Sequence, residues 1–202
     1  MNGQGKLLVH FLRYVEKLII PVYQRNYDWQ EANCRKLYQD LVHAIRSNKR
    51  WHFFGSIVSV SDPMGSNSEY LLIDGQQRIT TVSLLLLAMA NLIKEGNDDL
   101  YAQITKKYLV DEINPQKRKM KLKPIKGDQD AYERLWGDPS EFNRVSNITQ
   151  NYLFFYNEIQ KQAITIDQLY KAVEKLQIID ITLTPPDDDP QLVFESLSST
   201  GV

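Results

Sequence analysis

Residues 74–81 place several reactive side-chain types directly beside a long apolar run. An arginine presents a planar fork of donors that matches phosphate oxygens, and a side-chain amide can both donate and accept hydrogen bonds. A carboxylate in the same window adds a ligand for a hard cation such as Mg²⁺. The window holds one acid, two amides, one guanidinium and two hydroxyls: Asp74, Gln76, Gln77, Arg78, Thr80 and Thr81.

The flanking sequence predicts the elements that position this window. Residues 70–73 are apolar and are typical of a strand, whereas residues 82–93 are apolar almost all round and are typical of a buried helix. Gly75 lies between them and favours a tight turn. The first N–H groups of a helix are unpaired and its macrodipole favours negative charge, so the sequence predicts a phosphate site at this turn.

Composition limits the class of protein. The chain has 202 residues, of which 43% are hydrophobic and 24% are charged, which is typical of one globular domain, or of a domain with a small lobe. The formal net charge is −1, so nucleic-acid binding requires a local basic patch. Cys34 is the single cysteine, which excludes an internal disulfide and indicates a reducing cytoplasm. Neither a secretory signal nor a membrane span is indicated.

Periodicity along the rest of the chain predicts a mixture of helices and strands. Residues 18–25 are β-branched and aromatic around Pro21, which predicts a short segment at a sheet edge. The strands are predicted over residues 18–25, 51–60, 70–73, 117–124 and 177–183. The helices are predicted over residues 5–17, 30–47, 82–93, 98–111, 128–136, 148–163 and 166–176, and from Pro190 onward.

Three blocks of this sequence together resemble one known family. The first is Tyr23-Gln24-Arg25 within residues 20–29, the second is Asp74-Gly75-Gln76-Gln77-Arg78 after residues 54–58, and the third is Phe194-Glu195-Ser196-Leu197 within residues 193–201. In this order they resemble the N-terminal, GmrS-type domain of GmrSD type IV restriction enzymes and related phage-defence proteins. The resemblance extends from about residue 18 to the C-terminus, and Ser198 stands where the family usually has asparagine.

The resemblance implies a fold and a domain division. It implies an α+β fold of the ParB/sulfiredoxin type, with a mixed sheet, a central buried helix and a mostly helical second half. We therefore expect a nucleotide-binding core over residues 1–125 and a helical lobe over residues 126–202, truncated before further C-terminal domains. Family members often end in an HNH-type nuclease half, and none of the histidines here, His10, His43 and His52, lies in such a motif.

The resemblance also implies an activity, namely binding and hydrolysis of a nucleoside triphosphate (ATP, GTP or UTP) with Mg²⁺, coupled to restriction of foreign, modified DNA. Arg78 would then bind phosphate oxygens, Gln76 or Gln77 would orient the attacking water, and Asp74 would hold Mg²⁺. A second wall of the pocket and a second carboxylate complete the expected site. The residues expected there, with the phosphate-binding turn, are Tyr23, Gln24, Arg25, Gly75, Thr80, Thr81 and, for the metal, Glu195.

The residues alone leave other interpretations open. The window can be a self-capped turn with Arg78 in a surface ion pair, and Glu195 can be an exposed helix charge. A basic cluster predicts either a solvated strand face or a DNA-backbone contact; it comprises Lys117, Arg118, Lys119, Lys121, Lys123 and Lys126. The alternative functions are a non-catalytic DNA-sensing module and a ParB-like DNA nickase. The expected partners are DNA, nucleotide and a downstream or separate nuclease domain, with a homo-oligomer left open.

Overall fold

A computed structural model describes residues 2–111 and 120–200 of the chain. The strands are β1 Asn2–Leu7, β2 Lys17–Ile19, β3 His52–Ser61, β4 Glu69–Asp74, β5 Leu122–Lys123 and β6 Leu176–Leu183. The helices are α1 Leu8–Tyr14, α2 Glu31–Arg46, α3 Gln76–Ile93, α4 Asp98–Ile104, α5 Lys126–Arg134, α6 Asn147–Gln160, α7 Ile166–Glu174 and α8 Pro190–Ser199. A π-helical turn, Thr105–Leu109, follows α4, and a 3₁₀ turn, Pro139–Glu141, follows α5.

Within the described residues the strands form one mixed six-stranded sheet in the order β1-β6-β3-β4-β2-β5. The β3/β4 pair is an antiparallel hairpin, and β1 also pairs antiparallel with β6. The β3/β6, β2/β4 and β2/β5 pairs are parallel. The predicted α+β class with a mixed sheet is therefore confirmed.

Helix α3 is the buried centre of the molecule. The helix carries apolar side chains on all sides, so its burial stabilises the fold most when neighbouring elements surround it. Leu84, Leu85 and Leu86 are each 0% exposed. Helices α4 and α6 and the π-helical turn pack around it. The prediction of a central buried helix is correct, and this helix gives the residues of its first turn a rigid support.

The two faces of the sheet bury different clusters. Alternation along β3 sends Ile57 into the main core and Val58 and Val60 into a smaller cluster. Phe194 and Leu197 of α8 pack on the smaller cluster. Asp189 caps α8 by accepting from the backbone N–H groups of its first turn. Helix α8 is thereby held close to β4, the strand that leads to residues 74–81.

Several predicted boundaries are wrong, and each has a physical reason. Residues 5–7 belong to β1 because Gly5 pairs with Ile179 of β6, so α1 begins only at Leu8. Strand β2 ends at Ile19 and lies between β4 and β5, so it is not at the edge of the sheet. The predicted helix over residues 98–111 divides into α4 and the π-helical turn. Residues 117–119, including Lys119, lie outside the described residues.

The division at residue 125 stays a prediction. Strand β6, from the second half of the chain, lies between β1 and β3 in the sheet. Helix α6, also from the second half, packs against α3. Among the described residues no helix has the length and apolar character needed to cross a membrane.

Candidate functional site

The turn between β4 and α3 is a single glycine. Asp74 ends β4, Gly75 has a φ of 91°, and α3 begins at Gln76. A Cβ atom on residue 75 would lie 2.5 Å from Cδ1 of Ile57 and 3.1 Å from the carbonyl oxygen of Ser56. Glycine is therefore required both by the backbone conformation and by the close approach of β3. The tight turn brings the side chains of Asp74 and Arg78 to the same end of α3.

A pocket of about 540 Å³ opens at this turn. It brings together the first two sequence blocks and one face of α8, as the sequence predicts for Tyr23, Gln24 and Arg25. Its lining combines polar side chains with an aromatic and aliphatic wall. The lining residues are Tyr23, Gln24, Arg25, Trp29, Ile73, Asp74, Gly75, Gln76, Gln77, Arg78, Phe194, Leu197 and Ser198.

Arg78 is the cation at the pocket wall nearest to β3. Its Nη1 donates to the carbonyl oxygen of Ser56 at 3.4 Å and lies 4.0 Å from Oδ2 of Asp74. The side chains of Arg78 and Asp74 are 27% and 34% exposed. Both charged groups are thus oriented by the protein and still accessible from the pocket, which is the arrangement that an anion with a bound cation requires.

Two glutamines form a fixed pair at the floor of the pocket. Gln24 is 5% exposed and its Nε2 donates to the carbonyl oxygen of Ile73 at 2.9 Å. Its Oε1 accepts from Nε2 of Gln76 at 2.9 Å. Since Nε2 of Gln76 is directed to Gln24, its Oε1 is the end that can accept a hydrogen bond from a water in the pocket.

Gln77 differs from Gln76 because its amide is bonded to the backbone of the loop between β2 and α2. Its Oε1 accepts from the N–H groups of Asp28 and Trp29 at 3.0 and 3.2 Å. Its Nε2 donates to the carbonyl oxygen of Asn26 at 3.2 Å, and the residue is 6% exposed. These bonds fix the loop that presents Arg25, so the contacts of Gln77 are those of a positioning residue.

A comparison with protein families decides where the chain belongs. Residues 8–202 match the family model described as GmrSD restriction endonuclease, N-terminal domain. The chain belongs to this family. Among curated proteins no match is found. Membership gives the GmrSD domain a role in a restriction system.

Two hydroxyls of the GmrSD domain that the sequence assigns to phosphate binding lie in its interior. Thr80 is 1% exposed and donates to the carbonyl oxygen of Gln76 at 2.7 Å. Thr81 is 0% exposed and donates to the carbonyl oxygen of Gln77 at 2.7 Å. Neither residue lines the pocket. Their hydroxyls are bonded within α3 and do not face the pocket.

A buried network that the sequence analysis missed holds the same loop from the second half of the GmrSD domain. Nδ2 of Asn151 donates to the hydroxyl of Tyr27 and to the carbonyl oxygen of Trp29, both at 2.8 Å. The Tyr27 hydroxyl lies 2.7 Å from Oγ1 of Thr81, and burial raises its pKa. Oδ2 of Asp128 accepts from the N–H of Tyr27 at 2.7 Å. In the sequence, the sole signal for this role is that Asn151 is a polar residue among the apolar residues of α6.

Arg25 and Tyr23 occupy the outer wall. Nη1 of Arg25 lies 3.3 Å from Oδ2 of Asp28, and its side chain is 61% exposed. The ring of Tyr23 contacts that of Phe194 with centroids 5.1 Å apart, and partial burial raises the pKa of Tyr23. The outer wall therefore has an exposed cation, and an aromatic pair that links the first and third sequence blocks.

The two proposed metal ligands are not equivalent. Asp74 lines the pocket, whereas Glu195 is exposed on α8 and accepts from Nε2 of Gln191 at 3.0 Å. Helix α8 presents Phe194, Leu197 and Ser198 to the pocket instead. No cluster of three or more histidine, cysteine or acidic residues suited to a metal occurs in the described part of the domain. Asp74 is therefore the carboxylate that fits a metal shared with a ligand's phosphates.

The predicted basic strand needs a correction at Lys121, which is 5% exposed. Its Nζ donates to the carbonyl oxygens of Leu12, Arg13 and Lys107 at 2.8, 3.0 and 2.7 Å. A buried ammonium that pairs with the carbonyls ending α1 has a structural role and does not reach a DNA backbone. Lys123 is exposed, as the prediction requires.

Proposed function

We propose that this domain binds and hydrolyses a nucleoside triphosphate with Mg²⁺, and that hydrolysis is coupled to restriction of foreign, modified DNA. The observation that supports this most is the joining of Asp74, Gln76 and Arg78 to Gln24 and Arg25 in one pocket. Phosphoryl transfer needs charge stabilisation and positioning more than covalent chemistry, and these residue types supply both.

The residues divide into roles by their contacts. Arg78, held by Ser56, binds the oxygens of the terminal phosphate, and the more exposed Arg25 closes on the phosphate chain when nucleotide enters. Gln76, fixed by Gln24, accepts a hydrogen bond from the attacking water through Oε1. Attack of this water on the terminal phosphorus breaks the bond to the bridging oxygen, the nucleoside diphosphate leaves with the negative charge on that oxygen, and the proton of the water passes to the released phosphate.

Asp74 fits the magnesium role. Mg²⁺ keeps several waters and uses one or two carboxylates together with substrate phosphates, so a single accessible carboxylate beside a phosphate-binding arginine is sufficient. When bound, the ion would neutralise charge that develops on the phosphate oxygens. Glu195 would join only by turning away from Gln191.

The remaining predicted residues support the site from within. Gln77 fixes the backbone of residues 26–29, and Thr81 bonds Tyr27, which lies in the same loop. Gly75 permits the turn, and Thr80 bonds within the first turn of α3. We propose that these residues act on hydrolysis only through the placement of Arg25 and Gln76.

The test measures phosphate release from ATP, GTP and UTP with Mg²⁺, and the thermal shift that each nucleotide causes. Arg78→Ala and Asp74→Ala should each lower the release rate about 100-fold or more, because each removes a group that stabilises transition-state charge. Arg134→Ala removes a more exposed arginine from an ion pair on α5 and should change neither quantity. Hydrolysis and nucleotide-induced stabilisation that survive in both site variants would show that the assignment is wrong.

Restriction also requires a nuclease, and the described residues contain no histidine cluster for an HNH-type site. We propose that a downstream or partner nuclease domain cleaves DNA after hydrolysis in this domain. We place the activity in the cytoplasm, where Cys34 remains a buried thiol. Phosphate release that rises on addition of modified DNA would support this coupling.

A further inference from the structure

A basic and aromatic surface lies away from the pocket, where α2 leads into β3. It includes exposed cations on the turn after α2, two exposed aromatic rings at the start of β3, and a lysine at the end of α7. We call it the β3 entry patch, and its residues are Arg46, Lys49, Arg50, Trp51, Phe53 and Lys175.

The backbone of this patch is fixed by a helix-ending motif. Asn48 adopts a left-handed conformation with a φ of 50°. The N–H of Lys49 donates to the carbonyl oxygen of Ala44 at 2.9 Å, and the N–H of Asn48 donates to that of Ile45 at 3.2 Å. These two bonds form a Schellman motif, which ends α2 sharply. Lys175 also donates to the carbonyl oxygen of Lys49 at 2.6 Å, so α7 anchors the turn.

Two large aromatic side chains of the patch are exposed. Trp51 is 52% exposed and Phe53 is 58% exposed. His52 between them lies 3.6 Å from Asp40 of α2, which is consistent with strand alternation. The guanidinium carbon of Arg50 lies 5.2 Å from the ring centre of Trp51. An exposed ring beside a cation is suited to stacking on a base whose phosphate is bound alongside.

The local charge favours a polyanion. Asp40 is already bound to Lys36 at 3.3 Å, and Glu174 is the exposed acid beside Lys175. Arg46, the last residue of α2, together with Lys49 and Arg50 of the turn that follows, outnumber these acids. The basic cluster that the sequence predicts over residues 117–126 has one exposed cation fewer than expected, because Lys121 is buried.

We propose that the β3 entry patch binds single-stranded or locally unpaired DNA, with Trp51 and Phe53 stacking on bases and Arg50 and Lys49 contacting phosphates. The patch is also connected to the pocket along β3. Phe53 precedes Gly55 by two residues, about 7 Å along a strand, and Gly55 is the residue against which Arg78 packs. The proposal does not depend on nucleotide hydrolysis, because DNA binding here requires no residue of the pocket.

The test is fluorescence anisotropy with a fluorescein-labelled thymidine oligonucleotide of about 20 nucleotides, in the absence of nucleotide, across a salt series. Trp51→Ala and Phe53→Ala should each weaken binding about 5-fold to 150-fold, since a lost stacking contact has this effect. Arg50→Glu should reduce the slope of log affinity against log salt by about 0.7 or more, the value for one phosphate contact on a single strand. Trp51→Tyr keeps an aromatic face and should restore most of the affinity.

Two controls are matched to these variants. Tyr14→Ala removes another exposed ring, 72% exposed with Arg13 at 5.7 Å from its centre, and should not change affinity. Lys94→Glu reverses an exposed charge just after α3, outside both proposed binding surfaces, and should also have no effect. Equal losses in the controls, or undiminished binding by Trp51→Ala and Arg50→Glu, would overturn the proposal. Unchanged oligonucleotide binding by Arg78→Ala would show that the β3 entry patch binds DNA independently of the nucleotide pocket.

Discussion

Gly55 of β3 and Arg78 of α3 fit against each other so closely that only glycine leaves room for the guanidinium. A Cβ atom on residue 55 would lie 2.7 Å from Nε and 2.9 Å from Cζ of Arg78. Gly55 also has a φ of +130°, which L side chains rarely adopt. The Phe54-Gly55-Ser56 segment and the Asp74-to-Arg78 segment are therefore one structural unit, since Ser56 also accepts from Arg78.

The first prediction concerns this contact. Gly55→Ala should displace the guanidinium of Arg78 and lower phosphate release about 10-fold or more, because a misplacement of about 1 Å can reduce a rate by as much as 100-fold. Backbone strain at a positive φ should also lower the free energy of unfolding by about 1–3 kcal/mol. Steady-state kinetics and urea denaturation measure the two effects.

Gly96→Ala is the matched control for that experiment. A Cβ atom there would meet nothing within 4 Å, and no positive φ constrains the residue. This variant should hydrolyse nucleotide at the unaltered rate and unfold at nearly the same urea concentration. If Gly55→Ala behaved in the same way, Arg78 would not need its present position.

The second prediction tests the role of Gln77 as a positioning residue. Gln77→Glu replaces the donor to Asn26 with a carboxylate oxygen while keeping an acceptor for Asp28 and Trp29. The facing carbonyl and carboxylate oxygens should repel each other and lower stability by about 1–3 kcal/mol. KM for nucleotide should rise more than kcat falls, because the loop with Arg25 contacts substrate in the ground state. Gln160→Glu makes the same change at an exposed residue and should leave KM and kcat unchanged. A loss of kcat alone in Gln77→Glu would instead indicate that the amide of Gln77 is catalytic.

The sequence was sufficient for the elements with strong periodicity and for the pocket. Residues 82–93 are apolar all round and form most of α3, and the Asp74-to-Arg78 and Tyr23-to-Arg25 blocks do lie in one pocket. Local patterns predict such features because burial and turn chemistry act over a few residues. The same patterns placed the start of α3 at residue 82, since polar residues 76–81 conceal the first turns of the helix.

What the sequence could not reveal depends on contacts between distant residues. Lys121 has the alternating pattern of an exposed strand residue, yet α1 and the π-helical turn enclose its ammonium. Asn151 and Asp128 lie more than 100 residues from the loop that they hold. Gln76 and Gln77 are adjacent, chemically identical and both line the pocket, and only the direction of each side chain shows that the amide of Gln76 bonds Gln24 whereas that of Gln77 bonds the loop backbone.

The third prediction follows from the burial of Lys121. Lys121→Met keeps the aliphatic volume and leaves the carbonyl oxygens of Leu12, Arg13 and Lys107 without the ammonium. Each buried acceptor left unpaired costs about 1–3 kcal/mol, so with three acceptors the free energy of unfolding should fall by at least about 3 kcal/mol. Urea denaturation measures this change. Exposed Lys123→Met should stay within about 0.5 kcal/mol of the unaltered protein, and an equal effect of the two substitutions would contradict a structural role for Lys121.

The fourth prediction is a pH dependence at Asp128. Burial raises the pKa of this carboxyl, and the hydrogen bond from the N–H of Tyr27 offsets only part of the rise. The folded state therefore binds the proton more tightly than the unfolded state, and stability falls as pH rises from the unfolded value through the raised pKa. Asp128→Asn stays neutral and can still accept from Tyr27, so it should be more stable than the unaltered protein at pH 7. This advantage should disappear as pH is lowered below the unfolded pKa, at about 3.9.

Asp138 provides a control of opposite sign. The N–H of Ser140 donates to its carboxylate at 2.8 Å and lowers its pKa. The folded state then favours the charged form of Asp138. The stability that this carboxylate contributes is present above its unfolded pKa and is lost as pH falls through its lowered folded pKa. Asp138→Asn should therefore be less stable at pH 7 and should approach the unaltered protein in acid. Thermal denaturation from pH 3 to pH 7 compares both variants, and a shift of the same sign in each would contradict the assignment of Asp128.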